Sequence, residues 1–289
     1  MTPSGAMSGR RVVVTGANSG IGRITARELA RAGAEVILVC RDARRGQDAL
    51  DHIRTETGND ATALMLCDLS SQASIRDLCA AFRDRYDRLD VLVNNAGGYF
   101  ADRRSSVDGL EQTFALNHMG YFLVARGLGP PLRAASGGRV VNVASVAHRF
   151  GHLDFSDLQW ARRRFMGLRA YSDTKLMNLL FTQALANRFA GFGITVNSLH
   201  PGAIRTGFAV QQKGWFGGLV RFGGWTLSSP ESGAKTSIYL ASDSAVGDIT
   251  GKYFANCRPR RPSRAARNGA HAERLWTESE RLVVIDPLD

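Results

Sequence analysis

Short apolar runs alternate with amphipathic stretches along almost the whole chain. The runs are continuous blocks of apolar residues, such as RVVVTG at 11–16 and EVILV at 35–39, rather than alternating apolar and polar positions. Continuous runs are typical of parallel strands that are buried on both faces. The repeated order of strand and helix predicts an α/β fold: a single doubly wound, Rossmann-type domain with a mostly parallel sheet of about seven strands and helices on both faces.

Seven apolar runs are the predicted strands, at 11–16, 35–39, 61–69, 89–97, 138–145, 194–202 and 252–256. The helices between them are expected to end near residues 32, 57 and 86, to fill 109–135, and to begin again near 171. The order contains no internal repeat and no Pro/Ser-rich linker. One domain is therefore expected over 1–289.

Two regions interrupt this order, 148–170 and 207–229. The second is rich in glycine and carries four large aromatic residues, Trp215, Phe216, Phe222 and Trp225. Glycines permit movement, and aromatic side chains offer contact area to an apolar ligand. The composition favours a flap over a substrate, and a helix pair that packs its aromatic residues on the core is an equally weighted alternative.

Composition places the chain among ordinary globular proteins, with 44% hydrophobic and 22% charged residues. No apolar run reaches the roughly 18 residues that a membrane span needs, and the first eleven residues lack the apolar core of a signal peptide. A cytoplasmic protein is expected. Its four cysteines have no metal-ligand spacing, so we expect free thiols and no metal site.

The net charge of +11 raises the question of a nucleic-acid partner. Much of the excess is local: 258–267 holds five arginines and no acid, and a second cluster lies at 162–169. No recognised nucleic-acid module accompanies these clusters. Solvated loops are the favoured interpretation, no nucleic-acid partner is expected, and a basic funnel for an anionic cofactor or substrate is the main alternative.

A glycine-rich turn, TGANSGIG at 15–22, follows the first predicted strand and opens the first predicted helix. Gly16, Gly20 and Gly22 permit a tight turn, close approach of the backbone to a pyrophosphate, and close packing of helix on strand. The turn alone is moderate evidence for a bound nucleotide, because its spacing differs from the commoner G-x-G-x-x-G.

The end of the second strand, LVCRD, bears on which nucleotide is bound. Cys40 stands where an acid would select NAD, and Arg41 follows it. An arginine at this point suits the 2′-phosphate of NADP(H). Asp42 lies one residue further on and is expected to point elsewhere. An ordinary surface charge is the alternative role for Arg41.

The candidate catalytic residues are Tyr171 and Lys175, spaced Y-x-x-x-K, with Ser145 upstream in VVNVAS. On a helix, this spacing puts the phenol and the ammonium one turn apart on one face. An ammonium this close favours the phenolate and lowers a pKa that is otherwise about 10. Lys175, helped by an oxidised nicotinamide, is expected to bring the Tyr171 pKa near 7 and make it a proton donor at neutral pH.

These motifs, with NNAG at 94–97 between them, resemble the short-chain dehydrogenase/reductase family from about Arg11 to the final helix. The strings LNHMGYFLV, VVNVASVAH, YSDTKLMNLLFTQALANRF and LHPGAIRT are similar to the retinol dehydrogenase-like branch. That branch typically has a long insert between the Ser and the Tyr, and many of its members prefer NADP(H).

The resemblance implies a Ser–Tyr–Lys site with a supporting Asn, and the catalytic set is then Asn117, Ser145, Tyr171 and Lys175. It implies that Asn117 holds a water linked to Lys175 and that Asp68 contacts the adenine. Asn94 lies in the implied loop beside the cofactor. The implied cofactor contacts are Gly16, Asn18, Ser19, Gly20, Ile21, Gly22, Arg41, Asp68, Leu69, Asn95, Ala96, Gly97, Tyr171, Lys175, Pro201, Gly202 and Thr206.

The function that follows from the resemblance is NADPH-dependent interconversion of a ketone or aldehyde and an alcohol. The aromatic flap and the long insert favour a fairly large apolar substrate and a carbonyl reductase, and secondary metabolism is one setting for it. An inactive NADP-binding scaffold or sensor and an oxidative alcohol dehydrogenase of retinol or sterol type are the alternatives. The expected parts are a cofactor-binding and catalytic core at about 11–200, the flap at about 207–229, and a basic loop with a C-terminal helix at about 258–289.

A homodimer or homotetramer is expected, because the family commonly assembles through the long helices near 109–135 and 170–190. The second of these helices has apolar residues on more than one side: Leu176, Leu179, Leu180, Phe181 and Leu185. Such a pattern suits burial against both the core and a partner. Burial within one subunit is the alternative.

Overall fold

The structure is a computed structural model that describes residues 5–202, 229–284 and 286–287. Eight strands in these ranges form one sheet, in the order β3-β2-β1-β4-β5-β6-β7-β8. The strands are β1 (Arg11–Thr15), β2 (Glu35–Cys40), β3 (Thr62–Leu66), β4 (Val91–Asn94), β5 (Arg139–Val143), β6 (Thr195–Leu199), β7 (Tyr253–Ala255) and β8 (Arg258–Arg260). The first seven are parallel to their neighbours, which confirms the predicted sheet.

The eighth strand was not among the predicted elements. β8 is antiparallel to β7 and follows a tight turn at Asn256 and Cys257, both of which have positive φ. Its sequence, Arg-Pro-Arg, is fully exposed. The basic segment after residue 257 is thus folded as an edge strand and a short 3-10 turn, Ala265–Arg267, rather than as a loop.

Helices cover both faces of the sheet, and alternate residues of β1 show the division. The helices are α1 (Gly20–Arg31), α2 (Ala43–Thr57), α3 (Gln72–Arg85), α4 (Gln112–Phe114), α5 (Gly120–Gly127), α6 (Gly129–Arg133), α7 (Gly167–Arg188), α8 (Pro230–Ser242) and α9 (Gly269–Arg281). Val13 packs with α3, α5, α7 and α9, whereas Val12 and Val14 pack with α1, α2 and α8. This three-layer arrangement confirms the doubly wound fold.

The long helix predicted over 109–135 is broken in the structure. α4 passes into a π-helical turn at Ala115–Met119 before α5 begins, and α6 starts separately with two prolines in its first turns. The helix that carries Tyr171 and Lys175, α7, begins at Gly167, one turn before Tyr171. Both differences concern element ends and local helix type rather than the order of elements.

The C-terminal helix α9 covers the face of α7 that the sequence assigned to a partner subunit. Trp276 of α9 stacks on Phe181 at 6.1 Å between ring centroids and meets Phe122 of α5 edge-on at 4.8 Å. The five apolar α7 residues named above are all buried within one chain. Burial within one subunit is therefore what the structure shows, and the apolar pattern of α7 no longer argues for an oligomer.

No helix in the described ranges combines the length and the apolar character needed to cross a bilayer. The predicted substrate flap at about 207–229 lies outside the described residues, except for Ser229, which caps α8.

Candidate active site

The predicted site residues converge at the carboxyl edge of the sheet. The strand order reverses between β1 and β4, and β5 and β6 continue on the far side of β4. In open α/β sheets, the crevice at such a reversal is where ligands bind. The glycine-rich turn follows β1, the NNAG loop follows β4, and Ser145 follows β5.

The glycine-rich turn has a geometry that only glycine fits. Gly16 and Gly20 have φ of +65° and +53°, which lie in the left-handed region. A Cβ at Gly22 would stand 2.3 Å from the carbonyl oxygen of Gly16 and 2.4 Å from the Asn95 side-chain nitrogen. Ser19 precedes α1 without a side-chain cap, so the first amides of the helix face the crevice as donors for an anion.

The NNAG loop is bonded to this turn through Thr15 and Asn95. The hydroxyl oxygen of Thr15 accepts the N–H groups of Asn95 and Ala96 at 2.9 and 3.1 Å, and the Asn95 amide donates to the Thr15 carbonyl at 2.8 Å. Asn94 differs from its neighbours. It is buried between β4 and β5, where its amide donates to Asn142, so its side chain supports the sheet rather than facing the crevice.

At the end of β2, Arg41, Arg44 and Arg45 are exposed. Asp42 caps α2 by accepting the Arg45 N–H at 2.9 Å. Its carboxylate is therefore directed to the start of the helix, in line with the expectation that it points elsewhere. Cys40 is buried beneath the glycine-rich turn, where burial raises its thiol pKa to about 11. This end of the crevice is thus positive.

Asp68 and Leu69 follow β3, the strand next to β2. Asp68 accepts the N–H and the hydroxyl of Ser70 at 2.9 and 2.7 Å, which fixes the carboxylate beside the crevice. Leu69 is buried against Gly120, where a Cβ would stand 2.7 Å from the Leu69 carbonyl oxygen. The adenine end of the predicted cofactor site is therefore ordered by local hydrogen bonds.

Tyr171 and Lys175 lie on α7, with Ser145 opposite them. The Ser145 hydroxyl hydrogen-bonds the Tyr171 phenol and also accepts the N–H of Ala147 at 3.2 Å. Lys175 is only 4% exposed, its Nζ lies 5.5 Å from the Tyr171 ring centroid, and it donates to the Val143 carbonyl at 3.3 Å. The structure thus brings the three predicted catalytic side chains together.

The pKa of Tyr171 differs from the value expected from sequence. Burial raises the phenol pKa to about 12, and the Ser145 hydrogen bond lowers it only in part. Burial also lowers the Lys175 pKa to about 8. In the protein without its cofactor, burial therefore opposes the predicted fall of the phenol pKa toward 7. That fall, which Lys175 and the oxidised nicotinamide are together expected to produce, stays a prediction.

Asn117 lies on the π turn and is completely buried. Its side chain accepts the Gly98 N–H at 2.8 Å, and donates to the Gly98 carbonyl at 2.9 Å and to Thr174 at 3.1 Å. A Cβ at Gly97 would lie 3.2 Å from the Asn117 oxygen and 3.5 Å from Lys175 Nζ, which places Asn117 beside the lysine. Its role in holding a water stays a prediction.

Two residues that support the candidate site, Tyr121 and Asp173, were not predicted from the sequence. Tyr121 lies under Lys175, whose Nζ is 5.9 Å from its ring, and its hydroxyl donates to the same Val143 carbonyl at 3.3 Å. Its i,i+4 spacing from Asn117 was the available signal. Asp173 accepts the His152 N–H at 2.8 Å and the Trp160 indole N–H at 3.2 Å, which fastens the insert to α7.

His118 lies next to Asn117 in the sequence, and Pro201, Gly202 and Thr206 are the remaining predicted cofactor residues. His118 is buried in the core, where it hydrogen-bonds Ser279 at 2.8 Å and burial lowers its pKa to about 3, so it is neutral and structural. Pro201 and Gly202 follow β6, and the Gly202 N–H donates to His200 at 2.9 Å. Thr206 lies outside the described residues. The described ranges hold no cluster of His, Cys, Asp and Glu able to bind a metal.

The chain is similar to known proteins in sequence and in fold. The family model for short chain dehydrogenase matches residues 10–215. Human (Homo sapiens) retinol dehydrogenase 13 is 41% identical over 96% of this chain and 86% of its own. A crystal structure of an uncharacterised protein from Mycobacterium paratuberculosis is 35% identical with a TM-score of 0.78, covering 97% of this chain and 95% of that one. RhlG of Pseudomonas aeruginosa, solved with NADP, is 28% identical with a TM-score of 0.71, covering 88% and 96%.

The chain belongs to the short-chain dehydrogenase family. Within that family it belongs to the retinol dehydrogenase-like branch, and it is an oxidoreductase.

Proposed function

We propose that this protein is an NADP(H)-dependent oxidoreductase that interconverts a ketone or aldehyde and an alcohol, on a fairly large apolar substrate. The observation that carries the proposal is the Tyr171 phenol, hydrogen-bonded to Ser145 and placed above the buried Lys175 at the carboxyl edge of the sheet. A hydroxyl pair beside a buried ammonium suits proton transfer to a carbonyl oxygen.

The residues of the crevice fit a dinucleotide. The glycine-rich turn leaves space that a Cβ would fill, and the α1 amides with exposed Arg41 supply donors and positive charge for phosphates. Asn95, Ala96 and Gly97 would line the cofactor beyond the turn. When bound, NADPH supplies the hydride that reduces the carbonyl carbon. A relative of this chain is known with NADP, which favours the same cofactor here.

The chain's own residues then supply position and the proton. Ser145 and Tyr171 donate hydrogen bonds to the carbonyl oxygen, and the Tyr171 proton moves to that oxygen as the carbonyl carbon receives its hydride. Lys175, protonated, opposes the charge that develops on the phenol and binds the nicotinamide ribose. Asn117 holds the loop at Gly98 so that Lys175 stays beneath the phenol.

The pH dependence of reduction follows from Lys175. Its pKa of about 8 means that the ammonium is complete below that pH and is lost as the pH rises through it. We expect kcat/KM for NADPH to be level near pH 6–7 and then to fall by about tenfold per pH unit above the pKa. Lys175→Arg keeps the charge and should show no fall near pH 8. A wild-type profile that is level to about pH 10 would contradict this role.

The cofactor preference follows from Arg41. Arg41→Ala removes the guanidinium nearest the expected 2′-phosphate, so the Kd for NADPH should rise by about tenfold or more, while the Kd for NADH changes little. Titration of nucleotide fluorescence measures both. Arg169→Ala, an exposed arginine on α7, is the matched control. Equal increases in the Kd for NADPH and for NADH would show that Arg41 does not select between the two nucleotides.

One alternative function has a specific observation in its favour. The 41% identity to a protein named retinol dehydrogenase over nearly the whole chain favours oxidation of a retinol- or sterol-type alcohol. Assays in both directions with NADPH and NADP distinguish it from a carbonyl reductase. An inactive NADP-binding scaffold would bind nucleotide and turn over neither substrate.

The remaining predictions concern setting and assembly. A cytoplasmic location, a homodimer or homotetramer, and the lack of a nucleic-acid partner rest on the sequence alone. Cell fractionation, sedimentation and a gel shift at low salt test them in turn. The oligomer prediction now lacks its argument from α7, which its own C-terminal helix covers.

A further inference from the structure

A cavity of about 320 Å³ opens beside the candidate active site, at the carboxyl ends of β5, β6 and β7. Three arginines, Arg149, Arg260 and Arg261, lie on its wall together with His200 and Tyr253, and none of its eight lining residues is acidic. We refer to it as the arginine cavity. Its position is separate from the glycine-rich turn, which lies across the sheet after β1.

The β7–β8 hairpin places Arg260 on the edge strand of the sheet, beside β7, and Arg261 directly after it. Tyr253 pairs with Arg260 across the hairpin, whose turn has φ of +52° at Asn256 and +58° at Cys257. Cysteine rarely adopts this left-handed conformation, which costs conformational energy. The turn is held in place because the Cys257 N–H donates to the Thr236 hydroxyl at 3.2 Å.

The third arginine comes from a different element. Arg149 lies on the 3-10 turn Val146–Phe150, which follows Ser145 directly, and it donates to the Arg261 carbonyl at 3.2 Å. No ion pair in the described ranges includes Arg149, Arg260 or Arg261. The cavity therefore concentrates positive charge that the described chain does not neutralise.

Edge protection explains only part of this arrangement. Charged residues on an edge strand discourage pairing with another chain, which accounts for the exposure of β8. It does not account for Arg149, which belongs to a separate element and converges on the same cavity. It also does not account for the floor, where the rings of His200 and Tyr253 stack at 5.9 Å.

The arginine cavity is tied to the catalytic serine through His148. This buried imidazole donates from Nδ1 to the Ser145 carbonyl at 2.7 Å and accepts the Ser263 N–H at Nε2 at 3.3 Å. Such a pair of partners requires the neutral ring with its proton on Nδ1. One side chain thus links the segment after β8 to the backbone of Ser145. The cavity begins at Val146, next to the serine, and reaches Arg260 on β8, which is three strands and roughly 14 Å from β5.

We propose that the arginine cavity binds an anionic oxyacid group, a carboxylate or a phosphate, on the same substrate whose carbonyl lies at Ser145 and Tyr171. The proposal rests on the proposed function. Guanidinium groups bind both anions through paired N–H donors. The substrate is then an amphiphile, with the reactive carbonyl separated from its acidic end by an apolar chain of several carbons.

The kinetic test compares three medium-chain methyl ketones that differ only at the far end: a carboxylate, its methyl ester and the matching phosphate. We expect kcat/KM for one of the two anions to exceed that of the ester by about tenfold, and the better anion identifies the group. In R260Q/R261Q this advantage should vanish. The R164Q/R169Q control removes two exposed arginines of the other basic cluster and should retain it.

A binding test separates this proposal from the proposed function. A saturated carboxylate and a saturated alkyl phosphate of the same length, neither of which can react, are titrated calorimetrically into wild type and R260Q/R261Q. Arginine-dependent binding of either ligand in a protein that reduces no ketone would support the cavity and reject the reductase. Equal rates for the ester and both anions, with no binding of either saturated ligand, would overturn the cavity and leave the reductase standing. If the double variant fails to fold, the comparison of the ester with the two anionic ketones on wild type still decides whether the cavity favours an anionic group.

Discussion

Replacing Tyr171 with Phe should lower kcat for carbonyl reduction by about 10²–10⁴-fold while the Kd for NADPH changes by less than about threefold. The substitution removes only the hydroxyl that hydrogen-bonds Ser145, and it leaves the ring to pack against Tyr99 at 6.3 Å between centroids. Lys175 keeps its bond to the Val143 carbonyl, so the floor of the site should persist. Steady-state rates and nucleotide titration on the same preparation measure the two effects separately.

A matched control comes from a distant tyrosine. Tyr86 is buried beside Arg11, and its hydroxyl has no hydrogen-bond partner among the described residues. Tyr86→Phe should therefore leave kcat within about twofold of wild type. Turnover by Tyr171→Phe above about a tenth of the wild-type rate would show that the phenol is not the proton donor. Equal loss of NADPH binding would indicate damage to the site rather than to the chemistry.

Replacing Trp276 with Ala should lower the free energy of unfolding by about 3–5 kcal/mol. The indole is stacked on Phe181 and packed edge-on against Phe122, and the Arg188 guanidinium lies 3.9 Å from its ring centre. Its loss opens a cavity between α9, α7 and α5 that these large side chains cannot fill. Denaturant unfolding measures the change through the midpoint, with the slope as a check that the unfolded states are comparable.

The control for Trp276→Ala is Phe192→Ala. It removes an aromatic side chain that is 51% exposed, and it should change the free energy of unfolding by no more than about 0.5 kcal/mol. The Trp276→Ala variant also tests whether α9 shields α7. If α9 loosens in Trp276→Ala, the apolar face of α7 is uncovered, and sedimentation should show larger species than wild type forms at the same concentration. A loss below about 1 kcal/mol would show that α9 contributes little to the core.

Much of the fold could be predicted because its signals are local. Continuous apolar runs such as 35–39 mark strands buried on both faces, and their alternation with helices leaves few possible topologies. The order of TGANSGIG, NNAG, Ser145, Tyr171 and Lys175 could be linked to one site because parallel strands deliver their carboxyl ends to one edge. The structure brings these residues together at that edge.

What could not be predicted depends on contacts between distant parts of the chain. β8 is an Arg-Pro-Arg segment with no strand signal of its own, and it pairs with β7 only because the turn at Asn256 and Cys257 reverses the chain. The Tyr171 pKa depends on how deeply the phenol is buried, which spacing along a helix cannot reveal. The second apolar side of α7 is shared between the core and α9, and a helical pattern cannot distinguish α9 from a partner subunit.

The fate of the hydride tests the proposed reaction. NADPH that carries deuterium at both hydrogens of the nicotinamide C4 is incubated with the enzyme and a medium-chain methyl ketone, and the alcohol is examined by mass spectrometry and NMR. We expect deuterium on the carbinol carbon, formed in step with NADPH loss, and almost none with Tyr171→Phe. NADPH that binds without any labelled alcohol across a panel of ketones and aldehydes, and NADP that oxidises none of the matching alcohols, would contradict it.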